Sequence, residues 1–378
     1  MLLQSGAILS KPNPNLEDFV STFALSQPYQ PETTLQKETA DNRNYAALKR
    51  LLKEKGLLDK QPGFLTYKIV STTIMLAVSL VILFATDHVW LQLLNAVYLA
   101  FVFGQIGFIA HDTGHRQGFH LPKQNDFFGI LHANFLIGMS FGWWVDKHNQ
   151  HHAHPNQEDL DPDIDIPVIA FTEKDALSKR GIPRFIVKYQ KFFFFPLLLF
   201  EAYSLRVGSV GFLMTRNDWK HRGVEILLMS LHFALYFTLI FLALGWGLGL
   251  AFIFLHQALF GLYMASVFAP NHKGMLIIRK DEVIDFLRLQ VLTARNVKAH
   301  PITDFWYGGL NYQIEHHLFP SMARNKLRAA QKIIRKFCDD LGVSYYETSM
   351  LQSYVEILDY LHEVSAVLRQ RNLAVPNI

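Results

Sequence analysis

The sequence predicts an all-α integral membrane bundle of four transmembrane helices, arranged as two hairpins, under a cytosolic helical cap that holds a pair of metal ions. Three observations predict it: where basic residues are missing, how long the apolar runs between them are, and where the histidines fall.

No Lys or Arg occurs from Ile69 to His115 or from Val224 to His272, so all 36 basic residues lie outside these two windows. Four apolar runs lie inside them: 69–86, 89–110, 225–246 and 250–270. Each approaches the roughly 20 residues that a helix needs to cross a bilayer. The connections Asp87–His88 and Gly247–Gly249 leave room only for tight turns, so each window reads as a hairpin that goes out and returns. Because cytoplasmic loops carry the excess of Lys and Arg, the N-terminal segment, the 111–223 loop and everything after 271 are expected on the cytoplasmic face. The net charge of +4 fits anionic headgroups and calls for no nucleic acid partner.

Along the chain, residues 1–41 read as a polar lead-in, and MLLQSGAILSKPNPN lacks the charged start and long apolar run of a secretory signal. Residues 42–58 have apolar positions at helical spacing and read as an amphipathic surface helix. The uncharged stretch 127–145 and the shorter FFFFPLLLF (192–200) are read as interfacial or re-entrant rather than as spans. From Ser321 onward the pattern is that of soluble helices. The expected organisation is an N-terminal segment (1–66), a central domain (67–335) and C-terminal helices (336–378). The single cysteine, Cys338, excludes an intrachain disulfide, iron–sulfur ligation and a cysteine-based zinc site.

Eight of the 17 histidines form a pattern. His111 and His115 follow the second run, His148, His151 and His152 follow 127–145, His272 follows the fourth run, and His316 and His317 lie in GGLNYQIEHHLFP (308–320). Residues three or four apart share a helix face, so each box is a one-sided cluster of imidazoles. One box alone would pass for an exposed polar face. Three boxes and His272 on the same membrane side, under a topology deduced without them, point to a shared metal site. That reading requires 127–145 not to cross the bilayer, since a crossing would put His148 roughly 30 Å from His115. His256, deep in the fourth run, is expected to be a neutral packed histidine, and His232 lies nearer the cytoplasmic end of its own run.

Eight imidazoles exceed the needs of one ion, and nitrogen ligands without thiolate favour two irons. Candidates to orient the rings from behind are Glu315 and the aspartates Asp159, Asp161, Asp163 and Asp165. Paired irons activate O2, and an adjacent apolar bundle suits a lipid tail, so the residues point to oxidation of an unactivated C–H bond.

The order HDxGH, HNxHHxxPN, GGLNYQIEHHLFP resembles the membrane fatty acid desaturase family. Gln313 at the head of the third box, QVLTARN (290–296) and DFWYGGLNYQIEHHLFP (304–320) resemble its front-end subgroup and related bacterial acyl desaturases. The resemblance covers about residues 45–335. It implies insertion of a cis double bond with O2 and two electrons, and ligation by His111, His115, His148, His151, His152, His316 and His317. His272 is similar to the extra histidine of acyl-CoA desaturases, but the Asn that those enzymes place four residues earlier is Phe268 here, which leaves Asn271 or Gln313 to complete the shell. The His-Pro-Gly-Gly motif of a fused cytochrome b5 domain does not occur, so a separate donor is expected, a ferredoxin or a cytochrome b5-type protein with its reductase. The substrate is expected to be a membrane lipid or an acyl-CoA.

A hydroxylase on the same metals is the alternative within this chemistry. A metal transporter would place ligands inside the spans. A zinc hydrolase would need a carboxylate base in a motif such as HExxH, whereas the first box carries Asp112 and Gly114.

Overall fold

The computed structural model describes residues 34–370, with side chains from Arg43 onward; most of the expected lead-in, including MLLQSGAILSKPNPN, lies outside the described residues. The chain is helical almost throughout. The helices are α1 (Thr34–Glu54), α2 (Pro62–Ala85), α3 (Val89–Gly114), α4 (Pro122–Ile130), α5 (Phe141–Ala153), α6 (Glu173–Ser178), α7 (Gly181–Lys188) and α8 (Gln190–Leu198). There follow α9 (Glu201–Thr215), α10 (Arg222–His272), α11 (Phe286–Leu292), α12 (Pro301–Trp306), α13 (Gln313–Leu318), α14 (Arg324–Asp340), α15 (Met350–Val364) and α16 (Ala366–Gln370). The all-α expectation missed one feature, a parallel pair of two-residue strands, β1 (Asn296–Val297) and β2 (Glu347–Thr348). Strands this short leave no alternation in the sequence to detect.

Among the described residues three helices, α2, α3 and α10, are long and apolar enough to cross a membrane. α10 is itself two arms, because Gly245 takes φ 67° and ψ −175° and breaks the helix. Only glycine adopts that conformation without strain. The arms run back along each other, with the Tyr236 hydroxyl 2.7 Å from His256 Nδ1 and Gln257 Nε2 donating to the same hydroxyl. The hairpin is therefore as expected, but its turn sits at Gly245, two residues before Gly247–Gly249, which stay helical. His256 is fully buried and hydrogen-bonded, as expected of a packed histidine.

α2 and α3 form the other hairpin. Buried polar groups lock it: Ser79 Oγ donates to Asn95 Oδ1 at 2.7 Å, and Gln92 Nε2 caps the carbonyl of Thr86 at 2.6 Å. α3 runs through the centre, burying Leu99, Val102, Phe103 and Ile106 against Phe252, Phe260 and Met264 of α10. α2 and both arms of α10 turn large apolar side chains outward, Val81, Leu242 and Phe254 each more than 60 % exposed. An outward apolar belt on helices of this length is a lipid-facing surface.

The stretch 127–145 is not one helix. α4 runs into a π-helical turn (Leu131–Leu136), the chain bends by 113°, and α5 leads away. The stretch is therefore a sharply bent pair and not one straight helix. The stretch 192–200 is likewise one limb of a bent pair, α8 and α9, with 71° between them. The sequence reading missed α9, because Glu201, Arg206, Gly208 and Gly211 interrupt its apolar pattern.

The polar cap is built on α13 and α14. Leu327, Ala330, Ile334 and Cys338 share one face of α14 and pack with Leu318, Phe319 and Met322. α1 packs its apolar face into this core: Leu48 and Leu52 are fully buried, and Tyr45 donates to the carbonyl of Leu318 at 3.1 Å. α14 runs unbroken across residues 335–336, where the end of the central domain was expected.

Candidate metal centre

The eight histidines come from four helix ends, and the fold converges all of them. α3 continues past residue 110, so His111 stands in its last turn and His115 caps it. α5 carries His148, His151 and His152, α10 ends on His272, and α13 presents His316 and His317. A tight turn at Gly308 (φ 59°) and Gly309 (φ 85°) feeds α13 into place. A Cβ on Gly308 would sit 2.5 Å from the Phe108 ring, so the turn can pass α3 only without a side chain.

Two groups of ring nitrogens result. In the first, ligand atoms of His111, His115, His148 and His316 all lie within 4.8 Å of one another; in the second, those of His151, His272 and His317 do. His152 stands at the seam. Its Nε2 is 3.1 Å from His148 Nε2 and 3.2 Å from His316 Nε2, while its ring stacks on His317 at 4.2 Å. Further Nε2 pairs close at 3.2 Å (His111 with His316) and 3.3 Å (His151 with His272).

The anchors behind the rings determine what these contacts mean. His151 Nδ1 faces both oxygens of Asp161 at 3.0 Å, His272 Nδ1 faces the Thr293 carbonyl at 2.9 Å, and His317 Nδ1 faces Gln290 Oε1 at 2.9 Å. Each partner accepts, so each Nδ1 carries the proton and each Nε2 offers a lone pair. Lone pairs aimed at one another are repulsive unless a cation sits between them. His115 Nε2 and His317 Nε2 are buried and have no protein partner at all. Burial, and then the neighbouring imidazoles, push the pKa values of His148, His316 and His317 well below the ordinary histidine value, so these rings stay neutral. A buried set of neutral, pre-oriented imidazoles with inward lone pairs is a donor set for metal, and its nitrogens fall into two groups.

The candidates around the rings sort themselves by position. Gln313 Nε2 lies 2.9 Å from His272 Nε2, and its Oε1 accepts from Asn271 Nδ2 at 3.1 Å, so both residues border the second group. Asp161 buttresses His151, and Asp163 lies 3.6 Å from His151 Nδ1 while pairing with Lys147. Asp159 is instead an exposed group near Lys174 and Lys280, and Asp165 lines a surface pocket. Glu315 points away from the imidazoles, accepting from Tyr345 (2.7 Å) and Asn296 (2.7 Å). Burial pushes its pKa up to about 7. Its part is to tie α13 to the strand pair.

The chain matches the family model described as "Fatty acid desaturase" over residues 88–349, which takes in every one of these histidines. The chain belongs to the fatty acid desaturase family. This desaturase is 31 % identical over 336 residues to the Delta(6)-fatty-acid desaturase of Caenorhabditis elegans, covering 85 % of its own length and 75 % of that protein. It is 31 % identical over 346 residues to the Delta(8)-fatty-acid desaturase of Euglena gracilis (88 % and 81 % covered). To an acyl-lipid (9-3)-desaturase of Physcomitrium patens it is 29 % identical over 343 residues (87 % and 64 % covered). It is thus an oxidoreductase of lipid metabolism, embedded in membrane, with histidine clusters fit to hold metal.

Several residues that build the desaturase site had no role in the sequence reading. Gln290 and Thr293 orient His317 and His272, and Asn296 holds the backbone of Ile314 at the start of α13. All three lie in QVLTARN (290–296), a stretch noticed only for its resemblance. Asn156, at the end of the second box, donates its backbone N–H to Asp161 (2.7 Å) and its side chain to the His272 carbonyl (3.1 Å).

Proposed function

We propose that this desaturase inserts a cis double bond into a long acyl chain, consuming O2 and two electrons at a pair of irons. The proposed ligands are His111, His115, His148, His151, His152, His272, His316 and His317. What carries the reading is the convergence of inward Nε2 lone pairs at the polar end of an apolar bundle. Bound iron would supply the activation of O2 that removal of hydrogen from a methylene pair requires. Atoms and electrons balance as CH2–CH2 plus O2, two electrons and two protons giving CH=CH and two waters.

The chain's own residues do the rest. Asp161, Thr293 and Gln290 fix the tautomers of His151, His272 and His317, and Gln313 with Asn271 closes the side of the second group. A methylene chain offers no polar handle, and each methylene distinguishes by only about 1–3 kcal/mol, so register along the apolar bundle sets the carbon attacked. Relatives named for Delta(6) and Delta(8) positions support attack at a carbon counted from the carboxyl end of the chain. The distribution of Lys and Arg supports a cytoplasmic active site and cytoplasmic termini. The electrons come from a ferredoxin or a cytochrome b5-type donor.

Expression in a desaturase-deficient host, with fed acids of several lengths and gas chromatography of separated lipid and acyl-CoA pools, tests this. A new alkene is expected. A new hydroxy acid without an alkene would replace this reading with the hydroxylase.

A further inference from the structure

Glu225 stands seven residues before His232 on the first arm of α10, so the two share a face, and that face meets the bend between α4 and α5. Glu225 is completely buried. Its Oε2 accepts from Ser140 Oγ (2.6 Å) and Asn134 Nδ2 (3.0 Å), its Oε1 accepts from Trp219 Nε1 (2.7 Å), and the N–H of Gly142 points at both oxygens (3.2 Å each). A carboxylate offers about four lone-pair sites, and here donors occupy them all. None is left to take a proton from substrate or to bind an ion.

Every donor but Trp219 belongs to the bend. Ser140, held by Glu225, is the N-cap of α5, its Oγ accepting the N–H of Trp143 at 3.0 Å. Asn134 also accepts the N–H of Phe141 at 3.2 Å. Two further side chains hold backbone carbonyls of the same bend: His232 Nδ1 donates to Phe135 O at 2.8 Å, and Arg206 donates to Ile137 O at 2.9 Å. Gly138 takes φ 70° directly under His232, where a Cβ would lie 2.4 Å from the ring. The bend is thus pinned at its start, its tip and its exit.

We propose that Glu225 is a positioning residue for the metal centre, acting through α5. Phe141 opens the helix that carries His148, His151 and His152, and His148 lies seven residues on, about 10 Å along the axis. Glu225 touches no metal-site histidine. It fixes the exit angle of α5, and three of the eight imidazoles are aimed by that angle. An amide cannot replace it, because its NH2 would face donors on whichever side it was placed. This inference rests on the desaturase reading for the identity of the metal but not for the geometry.

The test is cobalt(II) and iron binding by the full-length protein in detergent, parent against Glu225→Gln. The variant is expected to stay monodisperse, to bind metal about tenfold more weakly, and to shift the ligand-field bands of the cobalt-loaded protein. Glu225→Asp, which keeps the charge, should recover part of the affinity. Parent-like affinity and spectrum in Glu225→Gln would overturn the proposal. If that variant aggregates, Ser140→Ala is read instead: weaker binding with a shifted spectrum supports the clamp, and parent-like behaviour overturns it. No lipid product enters the measurement. A parent that binds cobalt but never iron would therefore count against the desaturase reading and leave the clamp test intact.

Discussion

Arg324 places its Nε 2.7 Å from Oδ2 of Asp112, and both side chains are almost entirely withdrawn from solvent. The pair joins the first histidine box, at the end of α3, to the first residue of α14, just after the third box. The Arg324 guanidinium also donates to the Gly308 carbonyl, at the turn that feeds α13. Removing one partner leaves the other as a buried, uncompensated charge, which costs about 3–5 kcal/mol. Arg324→Ala is therefore expected to lower the thermal midpoint markedly, read by thermal shift in detergent. Lys336→Ala, which breaks an exposed pair with Asp340, should leave the midpoint nearly unchanged.

Alanine at any one of His111, His115, His148, His151, His152, His316 or His317 is expected to abolish desaturation while the protein still inserts in the membrane. Fatty acid analysis of the host, with membrane fractionation and immunoblotting, checks both halves. Near-normal product from one variant would remove that histidine from the site.

Asp161→Asn keeps the shape of the His151 buttress but removes its charge. It is expected to weaken metal binding by about 10–100-fold, a second-shell effect. A competition titration with a chelator of known affinity measures it. Asp159→Asn, at an exposed site away from the rings, should bind as the parent does.

Removing metal exposes the lone-pair repulsion among the Nε2 atoms. Chelator-treated protein is expected to melt at lower temperature than the metal-loaded form. Zinc should restore the midpoint without restoring product, because it carries no redox chemistry. Equal midpoints with and without metal would mean that the rings relax freely.

Cys338 lies buried among Leu327, Ile334 and Leu318, and burial, reinforced by the charges of Glu315 and Asp339, pushes its thiol up to about 12. The thiolate is the reactive form. Alkylation at pH 8 should therefore be slow in the native protein and fast once denaturant opens the cap. Mass spectrometry of the labelled chain would follow it, and rapid native labelling would show the cap to be loosely closed.

What could be read from the sequence was whatever rests on local periodicity. The four apolar arms follow from length and missing charge, and the boxes follow from helical spacing, because His111 with His115 or His148 with His152 needs nothing beyond one helix. The non-local anchors could not be read. Gln290 and Thr293 look like ordinary polar residues until α11 and the turn after it bring them behind His317 and His272. Glu225 only opens the third apolar run, and nothing near it in sequence marks it as a partner of Ser140 and Asn134. Glu315 misled in the other direction, since adjacency to His316 suggested contact while the helix turns it to the opposite side. α9 was missed because Arg206 and Gly208 make sense only against what they face, Arg206 the Ile137 carbonyl at the bend and Gly208 the Trp143 ring of α5.

His316 and His317 are neighbours in sequence, yet one serves the first nitrogen group and the other serves the second. A single peptide unit on α13 therefore acts as the ruler between the two nitrogen groups, and α5 repeats the measurement with His148 and His151. One inserted residue between His316 and His317 would swing His317 by about 100° around the helix and dismantle both halves together. Neither half can drift, or evolve a new spacing, without the other.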